Sequence, residues 1–555
     1  MPVLRFRASR LLEAVGDPSM DLAKLMSVLP KLKCEVSLLE DGETLELEID
    51  RDRPDMFSLR GLAEAVRLYL GLSKPRRFTS SGVGIEVLVD PPRKRPFIAA
   101  AALEGAEIGS EEDLEELIQF QEKLHLSYGR RKRVAIGFHD LYKLPSRRIE
   151  YRYVSVKERF VPLHMDREMS IEEVLRSTEQ GREYGSIARD GDMHPALISG
   201  GKIIAIPPVL NSDITRVEPG TKGLFIDVTG TDLRAVTEIL AVIVYPFLLA
   251  GARLLSAKII YPSSTIVTPD TSWRSVRIDR SLFEEWLGLE VPTEDELRKL
   301  LERMGLELAT YSESGFEVNV PPHRIDVLHP VDVLEDVAMA IGYDEIGAEM
   351  VATYEVSRPS ALTRLWEALR DLAIGLGYTE VNSLTLTSSK LLEALGIEEF
   401  ARIENPLQQE LDALKPVPLP SLMQVLAESQ HRQHPVKVFE ISECVTRDAS
   451  SPTGYRNRVL MGLAVLDTVV KFEDIHADCF AILRSLGLEP ASRRCSSAPR
   501  FAIEGRCAEI VVGERAVGMV CEIDPGILEA LGIEYPVGYI ELDVERILEV
   551  GGFGR

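Results

Sequence analysis

The chain has 555 residues, too many for a single hydrophobic core and enough for roughly three to five domains. Apolar residues make up 45% and charged residues 27%, which is ordinary for a soluble globular protein. The net charge of −24 excludes a protein that coats nucleic acid over its whole surface, because phosphate contacts need Lys and Arg, but it leaves room for a local basic patch.

In chain order, MPVLRFRASRLLEAVG has early arginines but no apolar run of signal-peptide length. Leu11 to Val15 and Leu22 to Leu29 have helical spacing, and ETLELEID (Glu43 to Asp50) alternates as a half-buried strand does. RPDMFSLRGLAEAVRLYLGL reads as a Pro-Asp turn followed by an amphipathic helix that stops at Gly71. Ser73 to Gly82 has linker composition, so a first domain is expected over residues 1–82. A second, over 83–265, mixes strands such as FIAAAALEG and KIIAIPPVL with helices such as LEELIQFQEKLHLS, and carries the basic run Arg130, Arg131, Lys132 and Arg133. Its most apolar stretch, Ile239 to Gly251, contains a proline and falls short of the ~20 residues of a membrane span, which predicts a buried core helix and no membrane association. A third, shorter domain over 266–347 has two helical patterns, a strand-like FEVNVP and a final helix. Residues 348–555 alternate helices and strands as one α+β domain, so the fold class is multidomain α+β. Cys34, Cys444, Cys479, Cys495, Cys507 and Cys521 show no CxxC and no zinc spacing, and read as reduced, mostly buried cytosolic thiols.

The segment PPHRIDVLHPVDVLEDVAMAIGYDEI (Pro321 to Ile346) is the most informative. Pro330 suits a first helical turn, where no N–H is lost. Leu334, Val337, Ala338 and Ile341 then make one apolar stripe, with Asp332, Glu335 and Asp336 on the opposite face and Asp326 just upstream. All-carboxylate oxygens suit a hard cation such as Mg²⁺. Acidic residues in a first helical turn are equally well explained by the helix dipole, with no metal.

The motif resembles the signature of the winged-helix-like module in phenylalanyl-tRNA synthetase beta subunits. The resemblance implies Mg²⁺ on Asp326, Asp332, Glu335 and Asp336. His323 departs from it, standing where tyrosine is expected. RPDMFSLRGLAEAVR is similar to the family's N-terminal stretch, while QEKLH (Gln121 to His125), RRKRVAIGFHDL (Arg130 to Leu141) and LFIDVTGTD (Leu224 to Asp232) resemble its editing module. The length fits the archaeal and eukaryotic-cytosolic type, without the extra OB-fold and C-terminal anticodon-binding modules of bacterial beta subunits.

The resemblance further implies a site that hydrolyses mischarged Tyr-tRNA. Such a site needs polar groups that position water at an ester and positive charge for the tRNA end. Gln121, Arg130, Arg131, Lys132, His139, Ser212, Thr229 and Thr231 are the candidates. Each has a plainer reading: the basic run as a solvated face, Thr229, Thr231 and Asp232 as turn and cap before the helix near Leu233, His139 as a structural hydrogen-bonding residue. No Ser-His-Asp or Cys-His arrangement is evident, which points to water positioning.

Residues 348–555 resemble the class II synthetase fold, an antiparallel sheet with helices. GYTEVNSLTLTSS resembles its entering strand, and ARIENPLQQELDALKPVPLPSLMQVL with HPVKVFEISECV resembles its second motif region. An active enzyme presents an arginine there to the ATP α-phosphate. Here the stretch reads LDALKPVPLPSL, and Lys415 before Pro416 offers no bidentate fork. Arg546 and the last glycines do not reproduce the third motif, and no P-loop, GxGxxG or HIGH-type sequence occurs elsewhere. What the resemblance implies is the beta subunit of a cytoplasmic complex of two alpha and two beta subunits. The alpha subunit would join phenylalanine to tRNA(Phe) with ATP cleavage, and this chain would scaffold the assembly and edit. The alternatives are a stand-alone deacylase acting in trans on mischarged tRNA, and a winged-helix nucleic-acid-binding module.

Overall fold

The computed structural model describes residues 2–129, 131–348, 350 and 356–552. They fall into two compact units, Met1–Met350 and Val351–Arg555, each mixing helices and sheets.

The first unit is built on three larger sheets, beside a two-stranded pair of Arg159–Phe160 with Met169–Ser170. A three-stranded antiparallel sheet places Thr44–Ile49 between Val3–Arg7 and Cys34–Leu38. Leu45, Leu47 and Ile49 are buried while their neighbours are half-exposed, as the alternation in ETLELEID predicts. The turn before helix Leu59–Tyr69 is the short helix Pro54–Met56, and Ser58 caps Leu59–Tyr69 by accepting from Gly61 N–H. A ten-stranded sheet follows, in which strand Gly223–Gly230 lies between Phe97–Glu104 and Val134–Asp140. Helix Leu233–Leu249, capped by Asp232, covers one face of it and contains Pro246. The stretch read as a core helix is thus one, and no helix among the described residues is long and apolar enough to cross a membrane.

Two features of this unit depart from the sequence reading. Strand Thr265–Thr268 pairs with Arg253–Ile260 and so belongs to the large sheet, past the boundary placed at residue 265. The linker does not separate cores either. One apolar cluster runs from Leu4, Leu47 and Leu62 through Ala101, Leu103 and Ile239 to Met304 and Ala340. The third sheet, with Gly315–Val320 between Arg274–Asp279 and Glu307–Ser312, packs against helices Arg280–Leu287, Glu294–Arg303 and Pro330–Ile341 in a smaller core.

The second unit is a seven-stranded sheet, antiparallel except for the pairing of Thr379–Glu380 with Val436–Arg447. Alternation sends Phe439, Leu463 and Ile540 to one face, under helices Ala361–Gly375, Phe472–Ser485 and Val544–Gly551. Val438, Ala464 and Tyr539 go to the other, with helix Leu419–Ser429. On that second face Glu541 accepts a hydrogen bond from the Tyr539 hydroxyl at 2.8 Å. Burial pushes its carboxyl up to about 7, against the opposing pull of Tyr539 and Arg458. A carboxyl raised in the folded state keeps its proton where the unfolded chain has lost it, so stability falls as pH rises from the ordinary glutamate range to about 7. Glu541→Gln should flatten that fall, and thermal melts between pH 4.5 and 8 (roughly the span of the two states' ionisation) would show it.

Candidate functional site

Several polar residues of the second domain gather at a cavity of about 360 Å³, whose wall includes Gln121, Arg131, Asn211, Thr215 and Asp227. One side is helix Glu111–Ser127, started by a capping box between Ser110 and Asp113. From it Gln121 Nε2 donates to the Ile136 carbonyl at 2.7 Å, tying the helix to strand Val134–Asp140. His125, buried on the same helix, accepts from Ile136 N–H at 2.9 Å through Nε2, which leaves Nδ1 to donate to Glu122 at 3.2 Å. Burial opposes ionisation of Glu122, yet the hydrogen bonds from His125 and Arg131 bring its carboxyl down to about 2.

Arg131 has a left-handed backbone, with φ of 63°. Its guanidinium pairs with Glu122, donates to the carbonyls of Pro208 and Val209 at 3.3 Å each, and lies 4.7 Å from the Tyr184 ring centre. It is therefore a strap across the cavity rim rather than a solvated cation. Lys132 and Arg133 are exposed, with Arg133 paired to Asp232 at 2.8 Å. Arg130 lies outside the described residues.

Two of the wall residues, Asp227 and Thr215, are joined behind the wall by His139, a line of three that the sequence did not connect. Asp227 Oδ1 meets His139 Nε2 at 3.0 Å, and His139 Nδ1 meets Thr215 Oγ1 at 2.7 Å. His139 is fully enclosed. With Asp227 accepting from Nε2–H, Nδ1 is left to accept from the Thr215 hydroxyl. Gly137 makes the line possible, since a Cβ there would stand 2.3 Å from Asp227 Oδ1. An acid in the middle of Gly223–Gly230, a strand buried along its whole length, is the signal that could have marked Asp227.

Of three other candidates, two serve the framework and one lies at the surface. Ser212 donates to the Val161 carbonyl at 2.8 Å and caps Asp213–Thr215. Thr229 Oγ1 accepts from Arg95 Nε at 2.9 Å, and Thr231 is exposed, with its N–H on the Arg133 carbonyl. Arg95, unremarked in the sequence, is wholly buried and also donates to the carbonyls of Arg131 and Lys132 at 3.0 and 3.1 Å, so it pins the turn that carries the basic run.

The acids of Pro321 to Ile346 are arranged differently from the expected cluster. Arg324, 2% exposed, donates through Nη2 to Asp326 at 2.7 Å and to Asp336 at 2.6 Å, and through Nη1 to the Met304 carbonyl at 2.6 Å. Asp332 turns back to cap its helix, accepting from Leu328 and His329 N–H at 2.7 Å each. Glu335, 44% exposed, pairs with Lys33, which also holds Asp52. Asp336 thus faces inward while Asp332 and Glu335 face solvent, because the helix is packed on more than the one stripe. The four carboxylates share no common point, and among the described residues no group of three His, Cys, Asp or Glu is placed to hold a metal. As a donor set they do not fit Mg²⁺, since a guanidinium already neutralises two of them. His323 stacks on Tyr245 at 3.6 Å between ring centres, and burial brings its imidazole down to about 3. The ring supplies the packing expected of tyrosine.

In the second unit Lys415 is fully enclosed, with Nζ on Glu440 at 2.6 Å and on Ser383 at 2.8 Å. Arg458 and Arg546 both pair with Asp543.

Residues 348–544 match the family described as the phenylalanyl tRNA synthetase beta chain CLM domain, and residues 276–343 match the tRNA synthetase B5 domain. The chain is 41% identical to the phenylalanine–tRNA ligase beta subunit of Aeropyrum pernix, over 98% of each. It is 35% identical to that of Saccharolobus solfataricus, over 94% of this chain and 95% of the relative. It is also 35% identical to that of Sulfurisphaera tokodaii, over 99% and 100%. An N-terminal fragment of the phenylalanyl-tRNA synthetase beta subunit from Pyrococcus horikoshii superposes with a TM-score of 0.57 at 33% identity, covering 62% of this chain and all of that one.

Replacing Arg324 by Met would leave Asp326 and Asp336 buried without their cation. It should cost about 3–5 kcal/mol in denaturant unfolding. Asp332→Ala removes a helix cap and should cost only about 1 kcal/mol. Exhaustive chelation with EDTA should leave the melting temperature of the wild-type chain unchanged; a clear drop would restore the metal to this motif.

Proposed function

The chain belongs to the phenylalanine–tRNA ligase beta-subunit family, and on that premise we propose that it supports attachment of phenylalanine to tRNA(Phe) by an alpha subunit and clears tyrosine attached in error. The observation that carries the first half is the fate of the cations in the second unit. Lys415 is locked onto Glu440, and Arg458 and Arg546 are held by Asp543. Adenylation concentrates negative charge at the ATP phosphates and needs an aimed guanidinium or its equivalent. With those cations committed to their own carboxylates, adenylation falls to the alpha subunit, and this unit serves as a class II-like surface for assembly in a complex of two alpha and two beta subunits.

The editing half rests on the cavity in the first unit. A tyrosyl ester entering it would meet Asp227, whose Oδ1 is held by His139. A phenol hydroxyl can donate to that carboxylate and phenylalanine cannot, and a buried acceptor left without its donor rejects the wrong side chain strongly. Gln121 and Arg131 stand at the wall, where the ester and its ribose would lie. Thr215 and His139 fix the carboxylate, and water in the cavity attacks the ester carbonyl. The divalent ion implied by the resemblance has no part in this reading, because Arg324 fills the cationic role in its motif.

All the cavity's wall residues lie between Leu114 and Asp227, so a deacylase needing no alpha subunit is the second reading. Two measurements decide. The chain alone should give no phenylalanine-dependent pyrophosphate exchange, and the alpha–beta complex should give it; exchange by the lone chain would sink the first half. In the complex, Asp227→Ala should slow Tyr-tRNA(Phe) deacylation at least tenfold with phenylalanine charging intact. Equal losses in both would make Asp227 a folding residue only.

A further inference from the structure

Three of the six cysteines stand side by side on neighbouring strands of the second unit. Strand Pro490–Arg494, the outermost of the sheet, pairs antiparallel with Ala502–Val512, and its last registered pair is Arg494 with Ala508. One step further along that register Cys495 faces Cys507, and their sulfurs lie 2.6 Å apart. Cys507 is in turn the register partner of Cys521 on the next strand, Arg515–Ile523. Cys34, Cys444 and Cys479 have no such neighbour among the described residues. Directly opposed residues of an antiparallel pair have Cα atoms about 4.5–5.5 Å apart, within the range that a disulfide spans without backbone movement.

We propose that Cys495 and Cys507 are a redox site, open as two thiols and closed as a disulfide that staples the edge strand and its outgoing turn to the body of the sheet. Of the three sulfurs, only Cys495 is half-exposed; Cys507 and Cys521 are buried. Cys495 also lines a cavity of about 280 Å³, together with Ser496, Ser497 and Pro499 of the turn that follows it. An oxidant therefore reaches Cys495 first. Burial and the neighbouring Cys495 push the Cys507 thiol up to about 12, which leaves the opening attack to Cys495.

The oxidant is a disulfide, of a small molecule or of another protein. The Cys495 thiolate attacks one of its sulfurs, forming a mixed disulfide and releasing the first thiol. Cys507 then gives up its proton and displaces the second thiol. Two thiols become one disulfide here, and one disulfide becomes two thiols in the carrier. The ring closed is about 13 residues long, short enough to hold the turn firmly and long enough to restrict the unfolded chain. The turn walls the same cavity as Arg458, Glu541, Asp543 and Arg546, so closure fixes the shape of that cavity.

The test treats the purified full chain with oxidised glutathione, removes it, then denatures the protein and alkylates free thiols. Peptide mass spectrometry should find Cys495 and Cys507 unalkylated and joined, with Cys521 alkylated, and dithiothreitol should free both. Oxidation should raise the melting temperature of this unit by roughly 5–10 °C. Cys495→Ser, at a half-exposed position that tolerates the change, should abolish both effects, and Cys521→Ala should abolish neither. Full alkylation of Cys495 and Cys507 after oxidation, or a Cys507–Cys521 link in their place, would overturn the proposal.

Discussion

The first unit is organised around a buried guanidinium. Arg324 sits between Asp326 and Asp336, and the bidentate pair of Arg53 with Asp55 adjoins it closely enough for the two cations to repel and for Asp326 to draw on both. The two stretches that stand out most in the sequence, RPDMFSLRG and PPHRID, are therefore halves of one arrangement, more than two hundred and fifty positions apart along the chain. Charges taken out of water so completely are tolerated only with partners and good geometry. The forked hydrogen bonds of Arg53 at 2.9 and 2.8 Å, and the further donation of Arg324 to a backbone carbonyl, supply both. Such a cluster adds little net stability over an apolar core of the same volume, but it admits one relative placement of its pieces.

Much of the fold was legible because it is written in local period. The alternation in ETLELEID, the apolar run over Ile239 to Gly251 and Pro330 at a helix start each follow from the geometry of a single element. What was illegible depends on neighbours distant in sequence. Helical spacing places Asp332, Glu335 and Asp336 on one side of an isolated helix, but only packing reveals that Asp336 turns to Arg324 while the other two face solvent. Arg95 has no local signature at all, since its partners are carbonyls thirty-odd residues away and Thr229, far further along the chain.

The cavity repeats that lesson in its chemistry. Ser212 and Thr229 are hydroxyls of the right kind in the right domain, and both are spent on carbonyl or guanidinium partners inside the framework. Asp227, His139 and Thr215 come from three separate segments and form a line only once the large sheet has closed. The candidates taken from the resemblance thus scatter over cavity wall, framework and surface, and tertiary geometry decides which polar groups line the cavity.

The apolar cluster that joins helix Leu59–Tyr69 to helix Leu233–Leu249, and both to Met304 and Ala340, has an evolutionary corollary. Each stretch borrows part of its greasy surface from the others, so none can be deleted without uncovering its partner to water. A lineage that no longer used the cavity could let its polar residues drift, yet it would be bound to keep the polypeptide around them as a load of inherited ballast.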